Sequence, residues 1–355
     1  MRILHLDSGS EMRVASGRLR LMEGLRDKGH GDCFSPQRRG DAENTIFILF
    51  SAPSRLCGKN LMRILHLDSG SEMRGGQWQV LRLMEGLRDK GHENMLLARK
   101  GSPLASVAQL RGLETHELTL LSVARWSRAD ILHAHDARSH TAAALVGPSR
   151  LAVSRRVAFP PQANPLSHWK YQRAAHYIAV SHFVEGTLLE SGIAPSKITV
   201  VYDGVPILPP SNGSEILLPL SQDPAKGMEL ALQGAKIAGF TARASANLEK
   251  DLKCAGLFLY ITHSEGLGSA VLLAMAAGVP VIASNVGGIP EIVEHERTGL
   301  LTENIPQAIA DAMRRLKDDP ALARSLAVRA RAAVEQKFSV DRMIAGTIGV
   351  YEALA

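Results

Sequence analysis

Short apolar runs alternate with amphipathic stretches along most of the chain. The run MRILHLD, which begins at Met62, is rich in Ile and Leu and predicts a strand. The stretch GGQWQVLRLMEGLRDKGH that follows has apolar residues at helical spacing, at Val80, Leu81, Met84 and Leu87, and predicts a helix. The same alternation continues as far as three helices at the C-terminus. Strands that alternate with helices predict a parallel sheet with helices on both faces.

The stretch VPILPPSNGS carries proline and glycine between two strands and is typical of an interdomain linker. We therefore predict a Rossmann-like domain at residues 62–206, a second one at 207–337, and a helix at 338–355 that returns toward the first domain. Ligands bind such sheets beyond the carboxyl ends of their strands. The predicted site is the cleft between the two domains.

The sequence MRILHLDSGSEMR occurs twice, at residues 1–13 and 62–74. An intact helix pattern follows the second copy. After the first copy, residues 15–18 and 33–36 match what a one-nucleotide shift of the second copy's codons could encode. We interpret residues 1–61 as a decayed partial duplication or a poorly ordered extension, and we expect the working protein to begin at Met62. A genuine extension and a start codon assigned too early are the alternatives.

Composition narrows the classes of protein to consider. The longest apolar runs are strand-sized, far below the roughly eighteen residues of a spanning helix, and the N-terminus does not resemble a signal peptide, so we expect a cytoplasmic protein. A net charge of +6 favours anionic partners such as nucleotide phosphates or acidic lipid headgroups. Scattered basic residues and an aromatic content of 5% argue against nucleic acid. The 3 cysteines are widely spaced and predict neither a disulfide framework nor a zinc cluster.

Two groups of residues have the chemistry of a binding site. Gly75 and Gly76 precede a predicted helix, where a backbone without side chains can approach an anion and offer it N–H groups; a simple tight turn is the alternative. His133 and His135 share one face of a strand near its carboxyl end. A polar cap is the alternative for these histidines, and we expect no third metal ligand near them.

The stretch HSEGLGSAVLLAMAAGVPVIASNVGGIPEIVEHERTGLL, at residues 263–301, resembles the nucleotide-sugar domain of the retaining glycosyltransferases of family 4. The shorter pieces RGGQ, ILHAHDARSH, YIAVS, VVYDGV, DPAKG and FSVDRM extend the resemblance over most of residues 62–355. It implies the GT-B fold, in which two Rossmann-like domains face each other across a cleft. It also implies sugar transfer from a nucleoside-diphosphate sugar to a glycan, lipid-linked or other acceptor, without metal or cofactor, as in bacterial cell-envelope or polysaccharide biosynthesis.

The resemblance assigns roles to individual residues. Lys226 matches the lysine that neutralises the leaving diphosphate, Glu265 the glutamate that holds the donor sugar's hydroxyls, and His135 the histidine beside the transferred sugar. The remaining donor-binding candidates are glycines: Gly75, Gly76, Gly266 and Gly268. The acceptor-side candidates are polar residues that we expect on a loop: Asp136, Arg138 and His140.

Three departures from the family pattern leave other functions open. Leu273 stands where the family has a second glutamate, Ser221 where it usually has an arginine, and the segment from Lys226 to Glu265 is short, so that the second domain is abbreviated. A degenerate, non-catalytic protein that binds a glycan or a partner is one alternative, and a nucleotide-sugar epimerase is another. The basic-edged helix QVLRLMEGLRDKGH either contacts an anionic membrane or simply covers the sheet.

Overall fold

The computed structural model describes residues 61–147 and 150–355. The first copy of the repeat, with the rest of residues 1–60, lies outside the described residues. The prediction of a decayed duplication therefore stays a prediction.

The first half of the described chain forms a sheet of seven parallel strands. They are β1 (Arg63–Asp68), β2 (Glu93–Ala98), β3 (Glu114–Glu117), β4 (Ile131–Ala134), β5 (Leu151–Arg155), β6 (His176–Ala179) and β7 (Ile198–Val200). Their order in the sheet is β3-β2-β1-β4-β5-β6-β7. Both faces of β1 are covered, because Ile64, Leu65 and Leu67 are all buried.

Six helices connect these strands. They are α1 (Gly75–Asp89), α2 (Pro103–Leu110), α3 (Leu120–Trp126), α4 (Ala137–Val146), α5 (Pro165–Gln172) and α6 (His182–Glu190). The periodicity of the sequence did not predict α3 and α5, because each spans about two turns, too few for an apolar stripe to repeat. Their caps, Thr119 and Asn164, accept a backbone N–H in the first turn, which is the local signal for both helices.

The second half forms a sheet of five parallel strands. They are β8 (Glu215–Pro219), β9 (Ala242–Ser245), β10 (Ala255–Tyr260), β11 (Val281–Ser284) and β12 (Leu300–Thr302), in the order β12-β11-β10-β8-β9. The helices are α7 (Met228–Ala238), α8 (Leu248–Asp251), α9 (Ser269–Ala276), α10 (Pro306–Asp318), α11 (Pro320–Lys337) and α12 (Val340–Leu354). A single 3-10 turn at Ile289–Glu291 lies between β11 and β12. Two parallel α/β sheets confirm the predicted fold class.

The last helix, α12, packs against α1 and β6 of the first sheet. Ile344 fills the space beside Gly86, where a Cβ atom would lie 1.9 Å from the Ile344 side chain. Tyr351 is fully buried, and its hydroxyl lies 2.6 Å from His133 Nδ1. The C-terminal helix thus takes part in the core of the first sheet.

Each sheet has one place where neighbouring strands send their connections in opposite directions. In the first sheet this switch point lies between β1 and β4, and in the second between β8 and β10. Residues that follow these strands are therefore the ones that geometry places at a ligand. Among the helices of the described segments, none has both the length and the apolar character needed to cross a membrane.

Candidate active site

Two helix N-termini meet where the loops of the two sheets approach each other. Helix α1 begins at Gly75 and α9 begins at Ser269, and a Cβ atom at Gly75 would lie 2.7 Å from Ser269 Oγ. The first turns read GGQW and SAVL, so both consist of uncharged residues. The residue before α9, Gly268, has a φ of 102°, a conformation that favours glycine. The positive ends of two helix dipoles and their free N–H groups therefore converge, an arrangement that favours an anion.

A third helix N-terminus nearby is satisfied by the protein itself. Glu291, from the 3-10 turn after β11, accepts the backbone N–H groups of His182 at 2.8 Å and Phe183 at 2.7 Å, at the start of α6. Its carboxylate also accepts the Tyr202 hydroxyl at 3.1 Å. Burial and the nearby Glu291 raise the pKa of Tyr202 to about 12. Glu291 thus ties the second sheet to the first and leaves the α6 end closed to other anions.

Gly266 is required by the contact between loops. A Cβ atom at Gly266 would lie 2.2 Å from the carbonyl oxygen of Arg156, and one at Gly288 would lie 2.1 Å from the Gly266 carbonyl. The Ser181 hydroxyl donates to that same carbonyl at 2.6 Å. Loops of the two sheets therefore touch at Gly266, and this predicted donor residue lies buried in their contact.

Lys226 and Glu265 face each other on the side of the site formed by loops of the second sheet, which we call the second wall. Lys226 Nζ lies 2.8 Å from Glu265 Oε2, and the Tyr260 hydroxyl donates to the same oxygen. The Gly266 N–H donates to the other carboxylate oxygen at 3.1 Å. Lys226 ends a 3-10 turn, and α7 begins two residues later at Met228.

Tyr260 is a site residue that sequence reasoning missed. It ends β10, and its side chain is buried beneath the Glu265 carboxylate. Burial raises the pKa of Tyr260 well above its usual range, and Glu265 acts in the same direction. The phenol therefore stays protonated and acts as a permanent donor that fixes the orientation of Glu265.

Three buried histidines lie together on the side of the site formed by the first sheet, which we call the first wall. Strand pairing between β1 and β4 places His66 directly beside His133, and His66 Nδ1 lies 3.0 Å from His135 Nε2. The expectation that no third candidate metal ligand lies near His133 and His135 is wrong, because His66 lies beside them. The parallel alignment of the similar strand ends HLD and HAH is the signal that would have found His66.

The histidine cluster is neutral and hydrogen-bonded. Ring nitrogens of the three residues lie within 4.8 Å of one another, the spacing of a metal site. Each nitrogen already has a partner: His133 meets Tyr351 and Ser154, His66 meets His135 and Asn94, and His135 also meets Arg156. Burial lowers the pKa of His66 to about 4 and holds the pKa values of His133 and His135 well below their usual range. A guanidinium beside three occupied imidazoles disfavours a metal cation.

Arg156 is the cation at the centre of the first wall, and it was not predicted. Its Nε donates to Asp203 at 3.1 Å, and its Nη1 lies 3.5 Å from His135 Nδ1. Its Cδ lies 3.8 Å from where a Cβ atom of Gly76 would be. Burial raises the pKa of Asp203, while the Arg156 guanidinium acts to lower it. Arg156 therefore joins the histidine cluster to the N-terminus of α1.

The acceptor-side candidates have three different environments. Asp136 caps α4, since its carboxylate accepts the Arg138 N–H at 2.8 Å and the Ser69 N–H at 2.6 Å. Arg138 is exposed in the first turn of α4. The loop position expected for His140 is wrong: this residue lies inside α4, is 1% exposed and packs edge-on against Tyr171. Burial lowers the pKa of His140 to about 3.

The two positions that depart from the family pattern do not add charge to the cleft. Leu273 is 9% exposed and belongs to the apolar core around α9. The Ser221 hydroxyl accepts the N–H of Asp223 at 3.1 Å, which closes a local turn. Between Lys226 and Glu265 the described chain has two strands, β9 and β10, and two helices, α7 and the short α8.

Comparison with known protein families matches both halves of the chain. The family model described as Glycosyltransferase Family 4 matches residues 73–207, and the one described as Glycosyl transferases group 1 matches residues 220–319. Together they cover about two thirds of the chain.

Curated relatives align over shorter regions. N-acetyl-alpha-D-glucosaminyl L-malate synthase of Bacillus anthracis is 35% identical over 106 residues, which is 30% of this chain and 28% of that protein. D-inositol 3-phosphate glycosyltransferase of Streptomyces avermitilis is 36% identical over 102 residues, which is 28% of this chain and 22% of that protein. Each match thus spans less than a third of the relative's length.

Solved structures align over most of the described chain. Anabaena HepE in complex with UDP and glucose has a TM-score of 0.74 at 16% identity, covering 82% of this chain and all of HepE. A glycosyltransferase from Rickettsia africae has a TM-score of 0.70 at 18% identity, covering 83% of this chain and 99% of that one. At these identities the likeness concerns the fold, and it confirms the predicted GT-B architecture.

Proposed function

This chain belongs to the group 1, family 4 glycosyltransferases, and on that premise we propose that it transfers a sugar from a nucleoside-diphosphate sugar to an acceptor hydroxyl with retention of configuration. The observation that carries the proposal is the meeting of the α1 and α9 N-termini beside Lys226 and Glu265. A nearby helix end of the same interface is closed by Glu291, whereas these two begin with uncharged residues.

The diphosphate would occupy the converging helix ends, where backbone N–H groups replace its hydration. The Lys226 side chain is 37% exposed, so its ammonium can turn from Glu265 to the leaving phosphate as negative charge develops there. Arg156 would supply the second cation, in place of the arginine that Ser221 replaces. The nucleoside-diphosphate class is supported by HepE, which crystallised with UDP and with UDP-glucose.

The sugar would be held between the two walls. When Lys226 turns to the phosphate, Glu265 keeps its hydrogen bonds from Tyr260 and the Gly266 N–H, and its freed oxygen accepts sugar hydroxyls. His135 would lie beside the anomeric carbon from the opposite wall. This arrangement orients the donor through both of its ends.

The transfer step balances without a protein nucleophile. The bond from the anomeric carbon to the phosphate oxygen breaks, and the acceptor oxygen forms the new bond on the same face. The acceptor proton passes to the leaving phosphate oxygen. Contact between the loops of the two sheets, as at Gly266, excludes water and so protects the donor from hydrolysis.

A second candidate function is that of a non-catalytic protein, which binds a glycan or a partner and does not turn over a sugar donor. It is favoured by Leu273, whose buried side chain replaces the carboxylate that family members offer to the ribose. Losing one or two charge-assisted hydrogen bonds would weaken donor affinity about ten- to a hundredfold. Such a loss would favour a protein that no longer uses a sugar donor.

The proposal also covers the acceptor and the cellular location of the protein. We favour a glycan or lipid-linked acceptor and a cytoplasmic location. The apolar side of α1 is buried against the sheet and α12, including Val80, Leu83 and Leu87. This helix therefore covers the sheet, and any contact with a membrane would use other residues.

The test is to incubate the protein with a panel of UDP-, GDP- and ADP-sugars and to follow each donor by NMR. Binding, followed by slow release of free sugar with retained configuration, would support the transferase. No binding to any donor would favour the non-catalytic function, and isomerised donor would indicate an epimerase. Transfer to an added acceptor then defines the acceptor class.

A further inference from the structure

The orientation of the Asn94 side chain is fixed by two backbone carbonyls. Its amide nitrogen donates to the carbonyl of Met84 at 3.2 Å and to that of His92 at 3.3 Å. Because carbonyl oxygens only accept, the Asn94 oxygen must point the other way. It faces His66 Nε2 at 3.3 Å. That ring nitrogen must therefore carry a proton and donate it to Asn94.

The proton on His66 Nε2 decides the state of its neighbour. His66 is neutral at pH 7, because burial lowers its pKa to about 4, so its Nδ1 has a free lone pair. This lone pair faces His135 Nε2 at 3.0 Å, which makes His135 Nε2 the donor of that hydrogen bond. His135 is neutral as well, and its own Nδ1 is then an acceptor.

The opposite end of the chain of hydrogen bonds requires the same direction. Arg156 Nη1, which can only donate, lies 3.5 Å from His135 Nδ1. Every step from Arg156 through His135 and His66 to Asn94 thus pairs a donor with an acceptor. The reverse tautomer of His135 would set its Nδ1 proton against the guanidinium and leave two lone pairs opposed at His66.

We propose that His66 and Asn94 are positioning residues that hold His135 in the Nε2-protonated tautomer. Its Nδ1 then accepts a hydroxyl of the bound sugar once Arg156 Nη1, which lies 3.5 Å away in the free protein, turns to the diphosphate. The identity of the hydroxyl rests on the proposed function, whereas the tautomer does not. A lone pair at this position attracts a hydroxyl and repels a phosphate. The adjacent Arg156 and helix ends attract the phosphate instead, so the two features together orient the donor.

His133 provides an internal control, since it belongs to the histidine cluster but not to the chain of hydrogen bonds from Arg156 to Asn94. Its ring nitrogens face the Tyr351 hydroxyl at 2.6 Å and the Ser154 hydroxyl at 2.8 Å. A hydroxyl both donates and accepts, so it imposes no tautomer on His133. Ser154→Ala therefore removes a buried hydrogen bond from the cluster without changing the direction of the chain.

The experiment is NMR of the full-length protein with 15N-labelled histidine rings, read through the couplings that distinguish Nδ1-protonated, Nε2-protonated and doubly protonated rings. His66→Gln and His135→Gln variants assign the signals. We expect His66 and His135 to be Nε2-protonated at neutral pH. An Nδ1-protonated or doubly protonated His135 would overturn the proposal, as would stoichiometric Zn²⁺ binding that removes the ring protons.

Variants add a test of the positioning role. Arg156 still favours the Nε2-protonated form of His135 in Asn94→Leu, so this variant should show only a minor Nδ1-protonated population of His135. Ser154→Ala should show none. An unchanged His135 in Asn94→Leu would contradict the role of Asn94. The spectrum of the wild-type protein decides the tautomer even where a variant fails to fold, and it needs no turnover, so failure of the proposed function is recognised separately.

With a turned-over donor, Asn94→Leu should lower kcat/KM about tenfold, the effect of one hydrogen bond, and Ser154→Ala should change it much less. A donor analogue in which the recognised hydroxyl is replaced by hydrogen should lose the same factor with the wild-type protein but little further with Asn94→Leu. Additive losses would contradict the assignment of that hydroxyl to His135.

Discussion

The two walls of the cleft differ in how their polar groups are satisfied. On the first wall, His135 is held between His66 and Arg156, and Arg156 is held by Asp203, so a buried network fixes each side chain. On the second wall, Lys226 and Glu265 satisfy one another across a more exposed contact. Under the proposed function, the histidines of the first wall would be arranged before substrate arrives, whereas Arg156 and Lys226 would change partners to receive it.

Under the proposed function, this difference would let one site both orient and release a donor. Fixed groups lose no freedom when they contact the sugar, and they favour one orientation. A charge that exchanges its partner can follow the negative charge that moves to the leaving phosphate. We expect substitutions on the second wall to affect turnover and those on the first wall to affect orientation and stability.

The largest effect should come from Lys226→Ala, because this change removes the mobile cation from the leaving phosphate. We expect kcat to fall about a thousandfold with the fold intact. Steady-state kinetics measures the loss, and circular dichroism checks the fold. Lys236→Ala, an exposed lysine of α7, is the matched control and should retain wild-type activity. A Lys226→Ala enzyme as active as this control would contradict the exchange of partners.

Arg156→Ala should weaken binding of the preferred nucleoside diphosphate about ten- to a hundredfold, because it would remove the proposed charge-assisted contact to the diphosphate. Calorimetry with this nucleoside diphosphate and with its parent nucleoside separates this effect from general damage, since only the affinity for the diphosphate should fall. The double variant with Asp203→Asn removes the buried carboxylate that would otherwise be left unpaired. Recovery of diphosphate affinity in the double variant would assign Arg156 a structural role alone.

Tyr260→Phe should lower kcat/KM about tenfold, because Glu265 loses one hydrogen bond to its oxygen but keeps the one from the Gly266 N–H. The loss should appear for sugar donors and not in the affinity for the free nucleoside diphosphate. An equal loss for both ligands would show that Tyr260 supports the whole loop rather than Glu265.

The smallest effect concerns stability and belongs to the first sheet. His140 has a pKa of about 3 in the folded protein against 6.5 as its ordinary value, so the unfolded chain binds its proton first as pH falls. The contribution of neutral His140 to the free energy of unfolding is complete above pH 6.5. Below pH 6.5 this free energy falls by up to about 1.4 kcal/mol per pH unit. Urea unfolding at pH 7.5 and pH 5 should therefore show a smaller loss for His140→Phe than for the wild type. Equal losses would sink this explanation.

Sequence and structure agree most closely where the pattern is local. Periodicity predicts the strand at Met62 and the helix after Gly75, and the family motif predicts Lys226 and Glu265, which do meet. One amino-acid sequence does not reveal which strands are neighbours in the sheet. His66 lies near His133 only because β1 pairs with β4.

The residues that sequence reasoning missed or misplaced have physical causes of the same kind. Arg156 and Tyr260 act through contacts with residues distant in the chain or on another element. The burial of His140 was missed because it depends on Tyr171 and Tyr177, which are distant in the chain and pack edge-on against its ring. The departures at Leu273 and Ser221 were visible in the sequence, but their buried or locally bonded states were not.

The central claim, that the paired helix ends hold a nucleotide diphosphate, is tested most directly by Gly76→Asp. The site has room for a side chain, and a carboxylate in the first turn of α1 should stabilise that helix. We predict that the variant unfolds at the same or a higher temperature than the wild type. By calorimetry it should bind the preferred nucleoside diphosphate at least about a hundredfold more weakly, because the new charge occupies the anion site. Undiminished binding by a stably folded Gly76→Asp protein would contradict the account.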